Sequence, residues 1–288
     1  MFSQLHVVSN KKDSVNITCD TDFPGQVTWK QKSDGVEMTL IGSKYIHMTG
    51  RTLQLHSLDM PNAGEYSCWG EGRKQNSTYL LLKQTDEDDY VDDEDDDDDD
   101  DTKKSDSFSC STQTYGCSIT CHLTASSFTA ARLSYHSDRQ AHRECNGSRA
   151  QDRFQFTLPL SNSPYAEEAS PLEVTVEALN SKLYLKKTIH FYLRDIVQPD
   201  PPQAVMCEKT GKTLTVTVQP AESWAQPISY FPLEHEIQFK NKDNGKAEHA
   251  ADGVIKTKEK VSELRARSRD PLIPSAWSKW SPWKNVTN

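Results

Sequence analysis

An all-β chain of three tandem β-sandwiches is what this sequence predicts, on three observations. Cys19 is followed ten residues later by Trp29, and a second cysteine, Cys68, ends the run Gly64-Glu65-Tyr66-Ser67-Cys68. A length of 288 residues accommodates three sandwiches of about 100 residues each. Near the end, Trp277-Ser278-Lys279-Trp280-Ser281 follows a segment, Leu264 to Arg269, in which every second residue is arginine. The expected divisions are 1–85 for the first sandwich, 86–107 for an acidic linker, 108–197 for the second sandwich and 198–288 for the third.

The first module reads as immunoglobulin-like. Two cysteines join its sheets, the tryptophan packs on the bridge, and the tyrosine two residues before the second cysteine makes a corner. Asn62 stands where that corner more often has Asp. A Cys19–Cys68 bridge closes a loop of about 50 residues and is worth roughly 4 kcal/mol in the chain-entropy account. Val15-Asn16-Ile17-Thr18 and Thr52-Leu53-Gln54-Leu55 alternate apolar and polar residues as half-buried strands do.

From Asp86 to Asp101, fourteen of sixteen residues are acidic and none is basic. Such a run repels itself and buries nothing, so it is expected to be a solvated linker. A calcium site would need a turn framework with a glycine at a set position, which is absent.

The second module begins at Phe108-Ser109-Cys110. Cys110 and Cys121 are eleven residues apart, a separation that suits a disulfide between neighbouring antiparallel strands. Zinc held by Cys110, Cys117, Cys121 and His122 is the rival reading, but gaps of six and three are not the paired knuckles of zinc ribbons. Leu172 to Glu177 and Ile189 to Leu193 are its clearest strands. Pro199-Asp200-Pro201-Pro202 then makes a stiff extended connector. Thr213 to Val218 is expected to open the third module, Glu234 to Phe239 continues it, and the tryptophan box closes it at a length that suits a fibronectin type III sandwich.

Arg265, Arg267 and Arg269 share one face of a strand. Trp277, Trp280 and Trp283 are three apart, and an extended left-handed segment repeats every three residues, so indoles and guanidiniums can interleave. Each stacked contact is worth roughly 0.5–2 kcal/mol. The ladder is expected to brace the third module rather than to bind a partner.

Composition narrows the function classes. The net charge of −9 is owed to the acidic run, without which 33 bases face 28 acids. Nucleic-acid binding has no support. No apolar stretch of about 18 residues exists, so membrane insertion is not expected. Seven cysteines and the sequons at Asn16, Asn76, Asn146 and Asn285 point to a secreted glycoprotein. The N-terminal residues lack the apolar core of a signal peptide, so that reading expects a leader not visible in this sequence. No H-E-x-x-H, G-x-S-x-G or phosphate-binding glycine loop occurs, so neither an enzyme nor a cofactor is expected.

The W-S-x-W-S box behind the arginine strand resembles the signature of class I cytokine receptors. Arg194-Asp195-Ile196-Val197-Gln198-Pro199-Asp200-Pro201-Pro202, the stretch Glu167 to Val174, and Ser223 to Phe231 resemble the elbow of the interleukin-12 subunit beta family, and the likeness runs through all three modules. That resemblance implies a secreted, receptor-shaped chain that pairs with a four-helix-bundle cytokine alpha chain, as in interleukin-12 and interleukin-23, and engages cell-surface cytokine receptors; it also leaves room for a homodimer. It implies that an arginine of the alpha chain enters an elbow pocket of tyrosines and acids. Carried over, these are Tyr115, Glu167, Glu168, Tyr230 and Phe231. Ser268 stands where the family has Asp, so the acid is assigned to Asp270. Asp59 and Met60 take the place of a receptor-contacting pair, although the aromatic tract expected upstream of Cys19 is missing. The family's intermolecular cysteine is replaced by Ser163, and Cys145 lacks its usual partner, which leaves Cys117, Cys145 and Cys207 unassigned. The nearest rivals are a soluble class I cytokine-receptor alpha subunit, similar to those for interleukin-6, and an adhesion protein of immunoglobulin and fibronectin modules.

Overall fold

A computed structural model describes residues 2–84, 106–116, 118–137, 140–159, 163–165, 168–210, 213–242, 245, 247–250, 254–256, 260–273 and 275–286. The acidic run, Cys117 and Glu167 lie outside the described residues. The described residues are all-β apart from single turns of helix.

The first module comprises β1 (His6–Ser9), β2 (Val15–Thr18), β3 (Thr28–Ser33), β4 (Val36–Thr39), β5 (Ile46–Thr49), β6 (Thr52–Leu55), β7 (Gly64–Gly70) and β8 (Arg73–Lys83). Strands β4-β3-β7-β8, with β1 parallel to β8, face the sheet β2-β6-β5. Alternation explains the packing: Ile17, Leu53 and Leu55 point inward while Asn16 is exposed. Cys19 and Cys68 are bonded across the sheets, and Trp29 stands opposite Cys68 in the β3/β7 register. The Tyr66 hydroxyl donates to the Asn62 carbonyl at 2.6 Å, closing the corner. Gly64 has φ +142°, and a Cβ there would meet the Lys32 carbonyl oxygen at 2.6 Å, so this position of the corner motif requires glycine.

The second module contains β9 (Ser107–Ser111), β10 (Ile119–Thr124), β11 (Ala130–Ser137), β12 (Gln140–Asn146), β13 (Ser148–Ala150), β14 (Arg153–Leu158), β15 (Leu172–Leu179), β16 (Leu183–Phe191) and the single-turn α1 (Leu193–Ile196). Sheet β12-β11-β15-β16 faces β13-β14-β10-β9 across a core that includes Phe128, Leu133, Phe154 and Phe156. Cys110 and Cys121 are direct cross-strand partners and are bonded to each other. His122 lies beside that bridge on β10, and among the described residues no group of three metal-ligating side chains exists.

One feature was not expected from the sequence. Strand β16 pairs in parallel with β8 at Leu183↔Leu82 and Tyr184↔Lys83, so the first two modules share one nine-stranded sheet. Buried Leu81, Leu179 and Tyr184 fill the junction, and Lys182 pairs with Asp34 at 2.6 Å.

The third module holds β17 (Ala204–Thr210), β18 (Thr213–Gln219), β19 (Glu234–Asn241), β20 (Ala247–Ala250), β21 (Val254–Lys256), β22 (Val261–Arg269) and β23 (Lys284–Asn285). Sheet β17-β18-β21 faces β20-β19-β22-β23. The module therefore opens one strand earlier than Thr213, with β17 directly after the proline connector. Its core, with Leu214, Val216, Ile237, Phe239 and Leu264, contains no disulfide, and Cys207 packs against it as a free thiol.

Candidate partner-binding elbow

The chain passes from α1 into the proline connector along the edge of the second module. Val197 bridges Thr112, and the Gln198 amide N–H donates to the Thr112 carbonyl at 2.8 Å. The Gln198 side chain donates to the Trp277 carbonyl at 2.8 Å, tying the connector to the tryptophan box. Val197, Trp224 and Phe231 form a small buried cluster on which Tyr115 packs.

Tyr115 crosses the elbow. Its ring stacks on Phe231 at 5.4 Å between centroids and meets Trp224 edge-on at 5.9 Å. Its hydroxyl donates to Oδ2 of Asp270 at 2.8 Å. Burial, and then the carboxylate it serves, push the Tyr115 hydroxyl above the ordinary tyrosine range. Asp270 follows the last residue of β22 and is only 3% exposed. Its Oδ1 accepts the Leu272 backbone N–H at 2.8 Å. No Lys, Arg or His among the described residues is ion-paired with it.

The other acid present, Glu168, is matched. It accepts the backbone N–H of Leu193 and pairs with Arg194 at 3.5 Å, while the Arg194 guanidinium lies over the Tyr192 ring at 4.0 Å. Among the described residues, Asp270 is thus the elbow acid without an ion-pair partner. Tyr230 is 56% exposed and meets Phe231, itself 5% exposed, at 4.9 Å.

The structure brings together Tyr115, Glu168, Tyr230, Phe231 and Asp270 around one junction. Ser268, where the resemblance would place the acid, is buried on β22, with its Oγ on the ring of His235 at 2.8 Å. Two further residues belong here that the sequence reading did not single out as site residues. Trp224 forms the wall, donating its indole N–H to the Phe231 carbonyl at 2.9 Å. Tyr165, 50% exposed, meets Tyr230 at 4.9 Å and Phe231 at 5.5 Å. Trp224 sits in the Ser223 to Phe231 stretch that carried the resemblance; Tyr165 sits in no pattern.

Beside the elbow, the arginine and tryptophan rows interleave. Arg269 lies over Trp277 at 4.5 Å, Arg267 over Trp277 and Trp280 at 4.9 and 4.5 Å, and Arg265 over Trp280 and Trp283 at 4.7 and 4.4 Å. Trp283 serves Arg265 and also receives Lys240 at 4.0 Å. The opposite edge of the arginine row is taken by β19: Gln238 accepts from Arg265, Glu236 from Arg267 and Glu234 from Arg269. The two serines of the box act as strand residues. Ser278 and Ser281 donate their backbone N–H groups to the Ser268 and Ala266 carbonyls at 2.8 Å each, and their hydroxyls accept the return N–H groups at 3.0 Å.

The other residues singled out are dispersed. Asp59 is exposed and caps the single turn Met60–Asn62, its carboxylate accepting the Met60 N–H at 2.8 Å, while half-buried Met60 packs against the first core. Asn16 and Asn285 are exposed, whereas the amide of Asn76 donates to the Asp20 carbonyl at 3.0 Å and Asn146 ends β12. Cys145 is a half-buried free thiol on β12, its pKa raised by burial.

Comparison with known proteins points the same way as the motifs. The family model described as the C-terminus of cytokine interleukin-12p40 matches residues 105–180. Over 291 residues the chain is 26% identical to interleukin-12 subunit beta of Lama glama, an alignment that covers 93% of this chain and 86% of that protein. Identity is 28% to the subunit of the same name in Ovis aries, over 297 residues, and 28% to that of Felis catus, over 292; each alignment covers 93% of this chain and 85% of the relative.

Proposed function

We propose that this chain, similar along 93% of its length to interleukin-12 subunit beta of several mammals, is a member of that family and works by docking a four-helix-bundle alpha chain at the elbow between its second and third modules. On that reading it is a cytokine subunit and not an enzyme, and its activity is assembly. The heterodimer would be secreted and would present both chains to cell-surface cytokine receptors. Asp59 and Met60, on the exposed turn of the first module, are the proposed receptor contact, and Asn16 and Asn285, both exposed, are the sequons best placed to carry glycans.

The observation that carries this reading is the charge state of the elbow. Asp270 is buried, accepts two hydrogen bonds, and has no cation beside it among the described residues. A carboxylate held out of water without a counter-ion is costly, and an incoming guanidinium supplies the missing charge. Tyr115 already aligns the carboxylate, and Tyr230 stands open to solvent against buried Phe231. Removing a central aromatic from such a site costs more than about 2 kcal/mol in binding, or more than about thirtyfold in affinity. Co-expression of Tyr230→Ala with a tagged alpha chain, read as the amount of alpha chain co-secreted, should therefore fall by at least about tenfold. Undiminished co-secretion would sink the assignment.

A further inference from the structure

We infer that Tyr165 is a second partner-contacting aromatic of the elbow, forming with Tyr230 a notch for a guanidinium-bearing side chain on a helix of the partner; this rests on the elbow reading above. The two rings come from different modules. Tyr165 lies in the loop between β14 and β15, Tyr230 in the loop before β19. They meet edge to face at 4.9 Å with an interplanar angle of 71°, and both rest on Phe231. Half of each residue's surface remains open, 50% for Tyr165 and 56% for Tyr230.

An exposed loop tyrosine ordinarily rotates freely and loses that freedom on binding, at about 0.5–1.5 kcal/mol per side chain. Tyr165 is held beforehand. Its hydroxyl donates to the Gln226 carbonyl of the third module at 3.1 Å, and its backbone N–H donates to Ser163 Oγ at 3.3 Å. A fixed aromatic with an open face is the kind of residue that dominates interfaces.

Charge selects the guest. Phenol faces attract cations, and the contacts Tyr230–Phe231–Tyr115–Asp270 lead from the notch to the unmatched carboxylate. The nearby base, Arg194, is committed to Glu168 and to the Tyr192 ring. A guanidinium fits better than an ammonium because its plane stacks on one ring while its N–H groups point along the other. Ser163, two residues before Tyr165, offers no thiol, so the hold on the partner at this loop is non-covalent.

The test uses the full chain and a tagged four-helix-bundle alpha chain, with dissociation constants for Tyr165→Ala, Tyr165→Leu, Tyr165→Phe and Tyr230→Ala and a melting curve for each. Tyr165→Ala is expected to bind at least about tenfold more weakly, Tyr165→Leu to recover little of that loss, and Tyr165→Phe, which keeps the π face, to stay within about threefold of the parent. Unchanged affinity for Tyr165→Ala alongside a large loss for Tyr230→Ala overturns this inference and leaves the elbow reading standing. Unchanged affinity for both overturns the elbow reading itself. Full recovery by Tyr165→Leu, which preserves bulk if the alanine variant melts early, shows that shape rather than the aromatic face is recognised and overturns the cation notch.

Discussion

The ladder of the third module and the elbow beside it are built from the same materials, aromatic rings with charged groups between them, yet their balance differs. In the ladder every guanidinium has rings on one side and a β19 acceptor on the other: Gln238 for Arg265, Glu236 for Arg267 and Glu234 for Arg269. In the elbow the charge is a carboxylate, Asp270, hydrogen-bonded but without an ion-pair partner among the described residues, and two tyrosines of the same junction, Tyr165 and Tyr230, remain half open. A saturated network holds a module together; an unsaturated one has capacity left for a further group. The difference is the ground for assigning the ladder to bracing and, in the proposed function, the elbow to recognition.

The largest effect that would test this contrast is on stability. Trp280 is the rung shared by Arg265 and Arg267, so Trp280→Ala should destabilise the third module by about 3 kcal/mol, visible as a lower melting temperature. Loss of partner binding at a temperature where that variant is fully folded would break the assignment of the ladder to bracing. Asp270→Asn should do the converse. Its Oδ1 still accepts from Leu272 and its NH2 group can donate to the Tyr115 hydroxyl, reversing that bond, while the unmatched charge is removed; the free chain should be as stable or more so while pairing weakens by about 2 kcal/mol. Equal pairing by the asparagine variant, measured by calorimetry, would mean that the elbow does not read a cation.

The smallest effect is an acid one. Burial pushes the Glu236 carboxyl up, but hydrogen bonds from Arg267 and His249 outweigh it and hold the carboxyl below its usual value. A group whose folded pKa is depressed contributes stability above its unfolded pKa and loses that contribution as pH falls through the folded one. The ladder should therefore loosen only below the ordinary carboxylate range. Glu236→Gln should flatten that part of the stability profile in thermal melts across pH, and an unchanged profile would remove Glu236 from the account.

How much could be read beforehand depended on whether a feature leaves a repeating mark. The first core could be read because a disulfide, an indole and a corner tyrosine must sit at fixed separations, from Cys19 to Cys68. The ladder could be read because strand and extended-helix periods are both local, and the observed stacking follows them. Tyr115 and Asp270 are 155 residues apart, and only a family likeness could pair them. Tyr165 left no mark, since a lone tyrosine in a polar loop looks like any other until its ring is seen beside Tyr230. The pairing of β8 with β16 was equally silent, because it is made by backbone groups that every residue has.

Under the proposed function, that pairing would set the geometry of the signal. A flexible ligand can bring two receptors into the same neighbourhood, but it cannot dictate the angle between them. With β8 and β16 hydrogen-bonded in one sheet, the first module cannot swing without tearing strand from strand, so the turn at Asp59 and Met60 is carried at a set bearing from the second module. Under the proposed function such a chain would act as a gauge, with the spacing of the receptors it gathers written into the twist of its nine-stranded sheet.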